Sequence, residues 1–239
     1  MISSLQKLVG IGSDIGRTHS SSIPFNAALP ISVEVLRKID AMRYRLKIGR
    51  KELTTKSHKT LKEGQTYWGN FFEGKGGVLT LSHLYPQPHL FQSEAYFLPL
   101  SLEDLFENKN FSYTEFKTFL IEQLSDESLP KSFFQTYTSM LLALNKQVLH
   151  LPLLDKGKRV LLQIQMASSY LHFYIAFEHL GPLNGLIEAD KLSLFCMYEN
   201  TFVTLKKENN KMGIPMELTL RQEITPLFDS NDLVLDLKG

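Results

Sequence analysis

The feature that most constrains the fold is a series of short apolar runs between residues 159 and 220, at least one of which alternates with a period of two. In residues 170–177 (YLHFYIAF), Leu171, Phe173, Ile175 and Phe177 alternate with His172, Tyr174 and Ala176. A two-residue period sends one set of side chains to one face, as a half-buried antiparallel strand requires. Residues 159–166 (RVLLQIQM) come before it across a Ser168-Ser169 break, and residues 186–189 and 192–198 follow it. Ala189-Asp190-Lys191 has the length of a tight hairpin. Asn200 is a good helix N-cap, Gly213 ends the helix that follows, and residues 213–220 (GIPMELTL) return as a strand. The expectation is a C-terminal domain at residues 151–226, an antiparallel sheet with one crossing helix that folds alone, followed by a tail at 227–239. Gly181 is expected to close a turn in a conformation that other residues resist. Gly181→Val should then cost about 1 kcal/mol or more, and Gly185→Ala less.

The first half reads differently. Residues 31–90 carry five short strand patterns separated by Gly-containing turns, a small basic β module of the meander or partly open barrel kind. Residues 91–150 are expected to be helical. Ser112 with Glu115 three residues on makes a capping box, and Phe116, Phe119, Leu120 and Leu124 recur at helical spacing. Residues 129–149 read as a longer helix with Pro130 in its first turn and Pro152 as its stop. Its stripe of Phe133, Phe134, Tyr137, Met140, Leu141, Leu144 and Val148 is expected to pack on the C-terminal sheet. Residues 1–30 have no sustained period and read as a disordered N-terminal segment. The fold class is α+β.

Composition excludes several functions. At 239 residues and 43% hydrophobic, the chain can bury a full core. Its net charge of +1 carries no global nucleic-acid signature. The charge is uneven, with thirteen Lys/Arg against six Asp/Glu in residues 1–75 and two Lys against eight acids in residues 76–128. The one cysteine, Cys196, lies in an apolar run; it rules out a disulfide within the chain, fits a cytoplasmic location and reads as a small buried hydrophobe. No signal peptide and no apolar stretch of membrane-spanning length is visible. The seven histidines lack metal-ligand spacing, no Gly-x-Ser-x-Gly or HExxH is present, and GKGG at 74–77 lacks the spacing of a phosphate loop. No catalytic, cofactor-binding or metal residue is nominated, and the expectation is a protein that is not an enzyme.

Two kinds of partner remain. Arg43, Arg45, Lys47 and Lys56 with Tyr67 and Trp68 interleave cations and aromatics on the β module, a composition able to hold single-stranded nucleic acid by phosphate contact and stacking. Alternation places Arg43, Arg45 and Lys47 on one face and Tyr44, Leu46 and Ile48 on the other, which is also how an ordinary solvated face reads.

The second partner is a protein. Residues 177–208 (FEHLGPLNGLIEADKLSLFCMYENTFVTLKKE) resemble the C-terminal domain of the flagellar hook-length control family. Glu178, Leu180 and Gly181 match the family's turn, Leu183, Leu186 and Ile187 its next strand, and residues 192–198 the partner strand, with Phe177 where the family has proline. Residues 43–68 resemble a small β module of some hook-length control-like proteins through Thr55, Lys56, Ser57, Leu61, Gly64 and Gln65. The resemblance implies a protein of flagellar assembly and export that contacts the export apparatus or one of its clients. Glu178, His179, Leu180, Gly181, Pro182 and Asn184 would then form an exposed binding rim carried by a rigid sheet.

Overall fold

Alternation in the first half becomes five strands: β1 (Ile31–Lys38), β2 (Arg43–Ile48), β3 (Lys51–Lys56), β4 (Thr66–Glu73) and β5 (Leu79–Pro86). The computed structural model describes residues 29–57, 59–73, 79–103, 112–209 and 213–229. Residues 1–28 of the segment expected to be disordered, GKGG at 74–77 and the tail from 230 on lie outside the described residues. The five strands pair antiparallel in the order β3-β2-β1-β4-β5, an open sheet whose central strand comes first in the chain. In β2 the period of two is literal: Tyr44, Leu46 and Ile48 are buried, while Arg43, Arg45 and Lys47 are exposed.

The helices are α1 (Tyr113–Leu124), α2 (Lys131–Asn145) and α3 (Glu199–Glu208). Ser112 caps α1, its hydroxyl accepting from the Glu115 N–H at 3.4 Å. The second sheet holds β6 (Val148–Asp155), β7 (Lys158–Met166), β8 (Tyr170–Phe177), β9 (Gly181–Glu188), β10 (Lys191–Cys196) and β11 (Met216–Leu220). Four hairpins join β6 to β10. Then α3 crosses over, and β11 lies parallel to β10 at the edge. The architecture is α+β as expected, with a parallel pair closing an otherwise antiparallel sheet.

Three expectations shift. The helix expected over residues 129–149 ends at Asn145, where Gln147 adopts φ +60 and turns the chain. The apolar run after it is strand β6. Pro152 stops no helix; it sits on an edge strand, the position in a sheet where a missing N–H is tolerated. Helix α3 starts at Glu199 with Tyr198 at its N-cap, so Asn200 lies in the first turn rather than ahead of it. The boundary drawn between residues 150 and 151 falls inside β6, and Phe228, assigned to the tail, is buried.

The two sheets meet along one seam. Trp68 of β4 packs with Phe91 and Phe97 and, from the second sheet's side, with Leu161, Tyr174, Ala176, Tyr198 and Ile224. Hydrogen bonds cross the same seam. The Trp68 indole N–H donates to the Phe177 carbonyl at 2.8 Å, Tyr198 Oη donates to the His83 carbonyl at 3.1 Å, and Tyr85 Oη donates to the Ile224 carbonyl at 3.0 Å. A bulge between β4 and β5, with His83 at φ +51, lies where that carbonyl accepts from Tyr198. A fragment of residues 151–226 therefore lacks Trp68, Phe91 and Phe97 from its core, together with the first three residues of β6. Helix α2 covers the other side of the second sheet, where Met140 and Leu144 pack with Leu120, Leu151, Leu153 and Leu162. Phe134 of the expected stripe is exposed.

Candidate protein-binding turn and basic face

The turn that carries the family resemblance joins β8 to β9. Phe177 pairs with Gly181, so Glu178, His179 and Leu180 form a three-residue loop followed by a glycine at φ +74. Three-residue hairpin loops commonly end in a left-handed residue of this kind, which is why the position takes glycine.

The six nominated residues do come together, but as a junction rather than an exposed rim. Glu178 forms an ion pair with Arg159, and both side chains are largely shielded. Arg159 also donates to the Phe91 carbonyl, tying the turn to the segment between the sheets. The Leu180 carbonyl accepts from Thr201 Oγ1 of α3 at 2.8 Å. Gly181 and Pro182 are buried, and the Tyr198 ring lies 2.6 Å from where a Cβ on Gly181 would stand. Asn184 Oδ1 lies 2.8 Å from His172 Nε2. Of the six, His179 alone is exposed; partial desolvation lowers the pKa of its imidazole, Glu178 opposes the shift, and Lys158 and Arg159 add to it. The turn locks β8, α3 and the first sheet together, and offers a partner little besides His179.

The basic face is also real in part. Arg43, Arg45 and Lys47 share an exposed face, with Lys56 exposed directly across from Arg43 on β3. Each of the three β2 cations has a carboxylate beside it: Asp40 at 2.5 Å from Arg43, Glu52 at 3.6 Å from Arg45 and Glu34 at 3.4 Å from Lys47. The aromatics are elsewhere. Tyr67 and Trp68 are 9% and 0% exposed, inside the core, so neither ring is presented for stacking with a base. Cations and rings therefore do not form one surface.

Asp40 reports on this face. The backbone N–H of Met42, then the side chain and backbone N–H of Arg43, hold its carboxyl at a pKa of about 2. Because the folded value is depressed, the charged form favours the fold above the ordinary carboxylate range, and that contribution fades as pH falls toward about 2. An NMR titration is expected to place the Asp40 midpoint near that value. In Arg43→Ala it should rise only part of the way, because the backbone N–H groups of residues 42 and 43 remain; no change at all would remove the Arg43 side chain from the account.

His150, one of the seven histidines whose spacing carries no metal-ligand signature, is a core group that the spacing alone does not mark. It is 2% exposed and hydrogen-bonded to Gln163. The only hint was its place in an unbroken apolar run. Among the described residues, no three of His, Cys, Asp or Glu gather as metal ligands, and no helix is long and apolar enough to cross a membrane. No protein-family model matches the chain, and no curated protein or solved structure matches it.

Proposed function

We propose that the protein works without catalysis, by protein–protein contact, in flagellar assembly or type III protein export. What supports this reading is the form taken by the stretch that resembles the hook-length control family: a hairpin, one helix and a parallel return strand ending at an open sheet edge. The edge strand β11 is five residues long, with Glu217, Thr219 and Leu220 exposed, and Val203 of α3 and Ile214 are exposed as well. An edge strand flanked by exposed apolar side chains is suited to take up an extended segment of another chain by strand addition. The contact surface therefore moves from the β8–β9 turn, whose groups are engaged internally, to the β11 edge. The partner is an export-apparatus component or client that presents an extended segment. Deleting the coding sequence from the native organism is expected to change hook length or the set of secreted flagellar proteins. Unchanged hooks, motility and secretion would contradict the proposal. Complementation by a Leu220→Lys variant, which places a charge on the edge, is expected to fall short of complementation by the unaltered protein.

A further inference from the structure

Of the four edge strands of the two sheets, three are closed or guarded. Along β6 the Leu98 N–H donates to the Pro152 carbonyl, and the Leu154 N–H donates to the Leu98 carbonyl. On β3, Lys51, Glu52 and Lys56 stand exposed, and charged side chains discourage edge pairing. On β5 the ladder is irregular around His83, whose carbonyl is taken by Tyr198. Strand β11 is built otherwise. Its one charged side chain, Glu217, is paired with Lys191 at 2.7 Å, and Leu220 at its end is exposed.

The ladder with β10 fixes where the backbone groups of β11 point. The Leu192 N–H donates to the Pro215 carbonyl at 3.0 Å, and the Arg221 N–H donates to the Cys196 carbonyl at 2.8 Å. In a parallel pair alternate residues turn both backbone groups to the same side. Pro215, Glu217, Thr219 and Arg221 thus face β10, while Met216, Leu218 and Leu220 turn their N–H and C=O groups to the open side. The Met216 carbonyl accepts from the Asn209 amide at 3.4 Å and keeps a second lone pair. The outward row is therefore centred on Leu218, the middle residue of the strand.

That symmetry makes the strand complementary to itself. About a two-fold axis at Leu218, an antiparallel second copy sets Leu218 against Leu218, Met216 against Leu220, Glu217 against Thr219 and Pro215 against Arg221. Outward donors meet outward acceptors, the apolar side chains share one face, and no like charges stand opposite each other. The exposed Leu220 is covered by Met216 of the partner subunit.

We infer that the free protein forms a two-fold dimer through β11, joining two six-stranded sheets into one continuous sheet. This rests on the reading of β11 as the contact edge, and adds that an incoming segment must displace the second copy. The contact is small, so the dimer is weak and concentration-dependent. Sedimentation equilibrium of the full chain is expected to show a mass climbing toward twice that of the monomer through the high micromolar range. Thr219 is exposed and meets Glu217 twice in the dimer. Thr219→Lys is therefore expected to tighten association about fivefold, and Thr219→Glu to weaken it about as much. In the unaltered protein, the Leu218 and Leu220 amides should exchange with solvent more slowly at high concentration than at low, as read by NMR. A mass that stays monomeric, an assembly larger than a dimer, the same response to both Thr219 variants, or amide exchange independent of concentration would each overturn the inference. None of these results bears on the flagellar reading, which hook length and secretion decide.

Discussion

Trp68→Ala is expected to lower the free energy of unfolding by about 4 kcal/mol, the scale on which large aromatic side chains are lost from well-packed cores. Trp68 is fully buried, edge-on to Phe91 with ring centroids 5.8 Å apart and stacked against Tyr85 at 6.4 Å. Its removal opens a cavity in the cluster that both sheets share and takes the donor from the Phe177 carbonyl. Trp68→Phe keeps most of the apolar contact and should cost about half as much. Urea denaturation followed by far-ultraviolet circular dichroism measures both. A loss below about 1 kcal/mol for the alanine variant would mean that the seam is a contact between two finished domains rather than a core.

Gly181→Val should be nearly as damaging, at about 3 kcal/mol. Two effects add: a β-branched residue forced to φ +74, and a Cβ driven against the Tyr198 ring, whose carbons stand 2.6 and 2.7 Å from it. That ring cannot swing away easily, because it is fully buried and its hydroxyl is held by the His83 carbonyl. Gly185→Ala meets a different obstacle. Its backbone is ordinary, but the Phe173 ring of β8 lies across it. Phe173 is only partly buried, so the ring has room to shift, and a cost of about 1 kcal/mol is expected. Denaturant midpoints rank the two. Equal, negligible effects would remove the turn as a structural junction.

How much of this could be read from sequence depends on whether a strand has one wet face. Strand β2 does, and its alternation correctly separated Arg43, Arg45 and Lys47 from Tyr44, Leu46 and Ile48. Strand β6 does not. Its first six residues are all buried, so VLHLPLLD shows no period, and Pro152 then reads as punctuation. The aromatic pair on β4 failed as a stacking platform for a related reason. Neighbours on a strand point to opposite faces, and here both faces are covered: Tyr67 packs in the first sheet's own core and Trp68 in the seam. Sequence placed the β8–β9 turn correctly but not its surroundings. Trp68, which bonds to Phe177, is 109 residues away, and no local pattern announces such a contact.

The central claim is that the two sheets share one core and unfold together. The chain carries its own reporters, a single tryptophan, Trp68 on the first sheet, and a single cysteine, Cys196, in the second. Cys196 is fully buried among Leu183, Leu192 and Leu194, so its thiol is protected until that core opens. Unfolding in urea should be followed by Trp68 fluorescence and, on the same samples, by pulse labelling of the Cys196 thiol. One shared midpoint and slope is the predicted result, the mark of a single cooperative transition. Separate midpoints, with the thiol still protected after the fluorescence change is complete, would contradict it.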